Sequence, residues 1–463
     1  MISNYSYAAN DPCEDRITAE THTDGTTFVG AWDGNGGWGV AQYISERAAE
    51  SFFQASDMLG SLAAMNSVFP KLDAELLARA SKQPTHRGTL FCGSCCVAAH
   101  IDGSKLTVGN LGDSRAVLGV FDHEASASPT LGTVVLTRDH GADSKLEHAR
   151  IAELHGDVDA VITRSSDGDC RVKGVAAVTR AMGLQHLKVM MPCLAYNKQV
   201  PPAHRINPRP GGPSKLKKGT KTPPYVLNEA EVSEWEVSAD GFLILASDGV
   251  WDEMSCEEAV DVIGEYLSMS AVEKAAQLPL LPIKEGGELG AVLVEAALRK
   301  AHARITSMLE EEKDTTMEEL MERPPGKKDT FPYGRSLLHD DITAMVVELP
   351  RDGVGQGDRK ACVAGARRTE WALSPEEKDD AEEIVDNGSD SEDDYEDARD
   401  TRLRRHTVEQ ISAEEEAAIL DALDAGGNNE RLRRQTVDLD WDAGEEFVID
   451  DLPPQSKSSG AAL

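Results

Sequence analysis

Four apolar, β-rich runs in this chain each meet a carboxylate at one end. "TTFVGAW" runs into Asp33, "KLTVGNLG" into Asp113 and "FLILAS" into Asp248, while Asp340 and Asp341 precede "ITAMVVEL". Runs of this kind, bounded by Gly, Asp or Asn, read as short strands. If they pack as two sheets, their ends converge on one edge of a domain. A fifth acidic pair, Glu14 and Asp15, sits in "PCEDR". Carboxylates gathered on one edge repel each other unless cations neutralise them. Hard oxygen donors select Mg²⁺ or Mn²⁺, and two such ions can activate a shared water and clamp a phosphate. Gly34 and Gly249 follow two of these aspartates and fit a close approach of backbone to metal. A single Asp-Gly is more simply a tight turn with a solvated carboxylate. Five acidic clusters at five strand boundaries reverse that balance.

The remaining punctuation points to an α+β chain. Further strands are expected at "SCCVAAHI", "RAVLGV" and "TVVLT", and helices over 39–56, 61–81, 144–155, 256–267, 289–312 and 316–322. Ser255 before "CEEAVDVIGEYL", with Glu258 three residues on, forms a capping-box pattern. Strands come in runs broken by helix pairs, which favours antiparallel layers over a doubly wound parallel sheet. Residues 188–224 are rich in Pro, Gly, Lys and Arg and read as a flap-like insertion in a domain over 1–350. Beyond it, 351–463 hold 14 Lys and Arg against 31 Asp and Glu, half of a whole-chain net charge of −34. That composition predicts a mostly disordered acidic tail. Within it, 412–425 has the caps and apolar spacing of a marginal amphipathic helix that needs a partner surface.

Charge and cysteine usage exclude several classes. A net charge of −34 repels nucleic acid and anionic membrane. No run of eighteen apolar residues spans a bilayer, and the first residues resemble neither a secretory signal nor a transit peptide. The expected location is therefore the cytoplasm or nucleus, with a mitochondrial one only for a longer N-terminus. Cys92, Cys95 and Cys96 contain a C-x-x-C, but no second pair or His cluster follows at zinc spacing. They read as buried thiols on a strand.

In order and spacing, "EDR", "WDGNGG", "GNLGDSRAVLG", "LTRDH…E…RI", "TRAMG", "FLILASDGVWDEMS" and "DDITAMVV" resemble the motifs of the metal-dependent protein phosphatases of type 2C. The resemblance covers roughly residues 8–350. It looks closest to the pyruvate dehydrogenase phosphatase branch through "ANDPCEDR", "AQYISERAAESF", "VAAHIDGSKL", "TPPYVLNEAEV" and "IGEYL". It implies a central β-sandwich of two antiparallel sheets flanked by helix pairs. It also implies hydrolysis of phosphoserine and phosphothreonine in proteins by a metal-bridged water, without a phosphoenzyme. By this likeness Asp33 bridges two Mg²⁺ or Mn²⁺ ions and Gly34 offers its carbonyl. Asp248 and Asp340 complete the ligand set, and Glu14 and Asp15 hold metal-bound waters. Asp113, Asp248 and Asp252 match a weaker third metal site.

Three positions depart from the family pattern. Asn35 stands where the family has the His thought to protonate the leaving alkoxide. An amide cannot supply that proton, though it still hydrogen-bonds phosphate or water. Asn10 occupies the place of a phosphate-holding Arg, as it does in the pyruvate dehydrogenase phosphatase branch, and Leu184 that of an Asp. The expectation is a monomeric phosphatase of reduced rate that acts on phosphoproteins. The competing readings are a metal-binding pseudophosphatase that recognises phosphoproteins or a kinase, and a scaffold whose acidic tail is the functional part. The tail repeats a basic pattern, "RLRRHTVE" and "RLRRQTVD". Each sets Arg-Arg-x before Thr407 or Thr436, as basophilic kinase sites do, although clusters this short also arise by chance.

Overall fold

The computed structural model describes residues 1–82, 91–122, 130–159, 161–165, 168–188, 223–237, 240–276, 279–283, 287–327, 332–349 and 366–371. Its strands are β1 (Ile2–Tyr7), β2 (Arg16–Thr21), β3 (Thr27–Asn35), β4 (Gly93–Asp102), β5 (Lys105–Leu111), β6 (Arg115–Asp122), β7 (Thr130–Val135), β8 (Ile162–Arg164), β9 (Cys170–Val172), β10 (Met182–Gly183), β11 (Glu231–Val237), β12 (Gly241–Ala246), β13 (Ile342–Leu349) and β14 (Ala366–Trp371). Its helices are α1 (Gly39–Ser45), α2 (Ala48–Leu59), α3 (Ser61–Lys82), α4 (Lys145–His155), α5 (Gln185–Lys188), α6 (Asp248–Trp251), α7 (Cys256–Ser268), α8 (Ala271–Ala276), α9 (Glu288–Met308) and α10 (Met317–Glu322).

Two antiparallel sheets organise the domain. One runs β1-β13-β12-β6-β7 and the other β14-β11-β5-β4-β3-β2, with β10 joined to β4. Alternation along the strands explains the layers, because successive side chains point to opposite faces. In β12, Leu243 and Leu245 enter the core between the sheets, where they meet Val97, Val108 and Met345. Phe242, Ile244 and Ala246 face the other way, toward Ile263, Leu293 and Leu298 of α7 and α9. In β3, Val29 and Ala31 join the inter-sheet core, while Phe28 and Trp32 pack on Phe52, Met65 and Phe69 of α2 and α3. Both faces of both sheets are thus covered. Continuous apolar runs such as "FLILA" and "TAMVV" are what two-sided burial demands.

The expected α+β sandwich, with antiparallel sheets and helices on both sides, is the architecture observed. Differences lie at element ends. The helix expected over 39–56 is two helices, α1 and α2, separated at Glu46 and Arg47. The helix expected over 289–312 ends at Met308 and continues as a 3-10 turn over Glu310–Glu312. The capping box at Ser255 and Glu258 forms with both reciprocal bonds, and Thr316 and Glu319 form a second one at α10. The short strands β8, β9 and β10 lie outside the expected set, as do four longer ones, β1, β2, β11 and β14. Their sequences are too polar to stand out, and sheet pairing rather than local preference holds them extended. Cys92, Cys95 and Cys96 are buried thiols outside any disulfide, as expected. Most of the flap, the helix expected over 412–425, Thr407 and Thr436 lie outside the described residues.

Candidate active site

The acidic residues reach one edge from both sheets. β3 carries Asp33 inside its final turn-ward stretch: the strand continues through Gly34 to Asn35, with Asp33 opposite Cys95 of β4. Asp33 is therefore an in-strand residue, two positions before the last residue of the strand. Asp113 lies in the link that carries the chain from β5 in one sheet to β6 in the other. Asp248 opens α6 directly after β12, and Asp340 and Asp341 lead into β13. The loop between β1 and β2 brings Asn10, Glu14 and Asp15.

Carboxylate oxygens of Asp33, Asp113 and Asp248 lie within 4.8 Å of one another. At that separation three negative charges cannot coexist cheaply in a partly buried site. Burial, and then Asp248, Asp15, Asp113 and Asp340, push the Asp33 carboxyl well above the usual range. Burial, and then Asp248 and Asp139, lift Asp113 to about 7. Asp15 is also pushed up by burial and then by Asp341, with the Thr343 and Ser247 hydroxyls offsetting part of the rise. Its Oδ2 is buried and takes no hydrogen bond among the described residues. Three converging carboxylates and a buried acceptor lacking a donor fit hard divalent cations. The sequence expectation grouped Asp113 with Asp248 and Asp252 at a weaker third site, and the structure brings Asp113 together with both Asp33 and Asp248.

Asp340 is exposed. Its Oδ1 accepts from Asn10 Nδ2 at 3.2 Å and from the Asp341 N–H at 2.8 Å. Its neighbour Asp341, assigned no role from sequence, is buried and anchors the N-terminal loop. Asp341 Oδ1 accepts from the Ala9 and Asn10 N–H groups at 2.6 and 2.8 Å. Its Oδ2 accepts from the Glu14 N–H at 2.7 Å and from Asn10 Nδ2 at 3.1 Å. Asn10, expected to hold phosphate, thus spends its amide on two carboxylates.

Two glycines are required by close approach, but the approaching atoms belong to the chain itself. A Cβ at Gly34 would sit 2.3 Å from the Glu14 carbonyl oxygen, and one at Gly249 would sit 2.1 Å from that of Asp341. Both positions let the acidic loops close on the strand ends, a nearer reason than the metal approach expected from sequence.

Further positioning comes from residues that sequence reasoning passed over. His140 Nδ1 accepts from the Gly112 N–H at 3.1 Å, which fixes the proton on Nε2, 3.3 Å from Glu231. Arg138 holds Glu231 through two bonds of 3.1 and 3.0 Å. Asn110 Nδ2 donates to the Gly112 carbonyl at 3.3 Å. Both backbone polar groups of Gly112, the residue before Asp113, are therefore clamped. The visible signal was the "RDH" after "VVLT". Leu184, in place of the family Asp, is buried in a small core with Ile151, Val161 and Tyr225. Asn35 is half-buried beside a loop whose Gly36 carbonyl accepts from Cys92 Sγ at 3.1 Å.

A family model described as protein phosphatase 2C matches residues 8–286. The chain belongs to the protein phosphatase 2C family. Members are Mg²⁺- or Mn²⁺-dependent protein serine/threonine phosphatases, the activity that membership assigns here. "Probable protein phosphatase 2C 29" of Oryza sativa subsp. japonica is 28% identical over 395 residues, spanning 81% of this chain and 87% of that protein. "Probable protein phosphatase 2C 46" of Arabidopsis thaliana is 25% identical over 371 residues, covering 76% and 84%. The serine-threonine phosphatase 2C structure from Toxoplasma gondii is 18% identical with a TM-score of 0.49, over 75% of this chain and 94% of that one. No helix among the described residues is long and apolar enough to cross a membrane.

Proposed function

We propose that this 2C-family phosphatase works at the carboxylate edge on phosphoserine and phosphothreonine in proteins, at a rate limited by Asn35. Asp33, Asp248, Asp340 and the Gly34 carbonyl would hold two Mg²⁺ or Mn²⁺ ions, with Glu14 and Asp15 outside them. Asp113 and Asp252 would join Asp248 at a third. The observation that carries this is the convergence of Asp33, Asp113 and Asp248 within 4.8 Å. Bound cations supply charge to offset the phosphate and lower the pKa of an attacking water.

The chain's own residues set what remains. Asp341 and the two glycines lock the β1–β2 loop against the strand ends, so Glu14 and Asp15 are pre-positioned. The clamp on Gly112 does the same for Asp113. Asn35 offers an amide N–H to a phosphate or ester oxygen, but no proton to the leaving alkoxide. General acid catalysis is worth on the order of a hundredfold or more for a poor leaving group. Asn35→His is therefore expected to raise turnover of a phosphothreonine peptide far more than that of an aryl phosphate. Equal effects on both would mean that Asn35 acts in binding. No turnover in either form would favour a metal-binding module that recognises phosphoproteins.

The stretches that resemble the pyruvate dehydrogenase phosphatase branch, such as "ANDPCEDR" and "TPPYVLNEAEV", support placing the chain near it. The catalytic unit spans 1–350, including a flap over 188–224, and acts as a monomer in the cytoplasm or nucleus. The tail, 351–463, would be regulatory, with Thr407 and Thr436 as sites for a basophilic kinase.

A further inference from the structure

Trp38 is 43% exposed and stands three residues after Asn35, where the chain leaves the carboxylate edge. Gly36 and Gly37, between them, take φ of +82° and +139°. Those conformations favour glycine and turn the chain from β3 into α1. Trp38 holds the N-cap position of α1 and makes no side-chain cap there, although Ser, Thr, Asp and Asn are the stabilising types. An indole at this point supplies neither a cap nor full core burial. It is nevertheless held still. The Arg16 guanidinium lies 5.5 Å from its ring centroid, within cation–π range. Arg16 also donates to the Cys13 and Asp15 carbonyls at 2.8 and 2.7 Å and to Gln42 Oε1 at 2.5 Å. The contacts from ring to guanidinium to carbonyl keep the ring centre within about 10 Å of the Asp15 carbonyl, roughly three residues of extended peptide. The charges beside the ring are spent on one another. Gln42 Nε2 donates to Glu46 Oε1 at 2.7 Å, and Arg47 pairs with Glu46 at 2.8 Å. What the ring presents at the rim is apolar surface.

We propose that Trp38 determines substrate specificity: its ring receives a bulky apolar side chain of the protein substrate, within three residues of the phosphothreonine. The proposal rests on the function proposed above. A substrate with its phosphate at the carboxylate edge leads its own chain across the rim, and Trp38 is the large apolar group exposed beside the loop that carries Glu14 and Asp15. Other exposed apolar residues, Met58 and Leu59 in α2 and Val272 in α8, belong to helices that carry no residue of the site. The brace from Arg16 fixes the ring before the substrate arrives, so little side-chain freedom is lost on contact. Removing roughly 60 Å² of apolar surface from water is worth about tenfold in affinity, which one leucine laid on the ring supplies.

The test titrates the full-length chain, in Mn²⁺, with peptides that carry a non-hydrolysable phosphonate analogue of phosphothreonine, and reads affinity by calorimetry. The flanking residues are serine throughout, or include one leucine at each position from −3 to +3 in turn. At one of these positions leucine is expected to tighten binding about tenfold. Trp38→Ala should erase that gain while the all-serine peptide stays within about twofold of its original affinity. Trp38→Phe keeps an aromatic face and should retain most of the gain. Equal binding of every peptide by the unaltered chain would overturn the proposal, as would a leucine preference that survives Trp38→Ala. So would a loss shared by all peptides in Trp38→Ala, which is what a purely structural role produces. Turnover of an aryl phosphate by the unaltered chain, assayed separately, reports on the catalytic reading. A preference that depends on Trp38 without turnover upholds the role of the ring and overturns the phosphatase, and turnover without the preference does the reverse.

Discussion

Replacing Asp341 by Ala tests whether that carboxylate builds the acidic edge. The substitution removes the acceptor for three backbone N–H groups and one side-chain amide. Ala9 is fully buried, so its N–H cannot turn to water, and leaving it unpaired costs about 1–3 kcal/mol. Asn10 and Glu14 are half-buried. Water can replace their partner, and each loses about 0.5–1.5 kcal/mol. Against this, Asp341 is one of the charges that raise Asp15. Its removal recovers on the order of 1 kcal/mol of repulsion. The hydrogen bonds win, and Asp341→Ala is expected to cost about 2–4 kcal/mol in urea unfolding. Because the loop carries Glu14 and Asp15, Mn²⁺ affinity measured by calorimetry should fall as well. Hydrogen exchange over residues 9–14 should accelerate before the rest of the domain opens. A loss below about 0.5 kcal/mol, with exchange of that loop unchanged, would refute this account of Asp341.

Other expectations follow from the same geometry. In metal-free protein, Asp113 has a folded-state pKa of about 7 against roughly 3.9 unfolded. The native state binds the extra proton, so stability falls as pH rises across that window. Thermal melts in EDTA should show this slope, and Asp113→Asn should flatten it, whereas Mn²⁺ should stabilise the native chain more at pH 7 than at pH 5. His140→Ala removes the acceptor for the Gly112 N–H. It should weaken Mn²⁺ binding about tenfold by loosening Asp113, in line with losses at residues that orient metal ligands, and His140→Asn should restore part of it. Arg180 and Glu147 form a buried bidentate pair, with the Thr179 hydroxyl also donating to Glu147. Arg180→Met strands that carboxylate and should cost about 3–5 kcal/mol in denaturant unfolding.

Much of this protein was readable from local pattern. Period-two alternation and β-rich composition are properties of a few adjacent residues, so β3, β4, β5, β6, β12 and β13 could be recognised in the chain. The acids beside them marked the edge where chemistry belongs. The two capping residues Ser255 and Glu258 were equally local, three positions apart. By contrast, β1 and β2 are held by pairing with β13 and β3, and their own residues carry little strand signal. The same limit applies to the site. That Asp113 meets Asp33 and Asp248 depends on a link crossing between sheets. That Gly34 must lack a Cβ depends on the Glu14 carbonyl. Asp341 is joined to Ala9 across 332 positions of sequence. Such contacts arise only when the sheets pack, because hydrogen bonding and steric exclusion act over a few ångströms in space and have no periodicity along the chain.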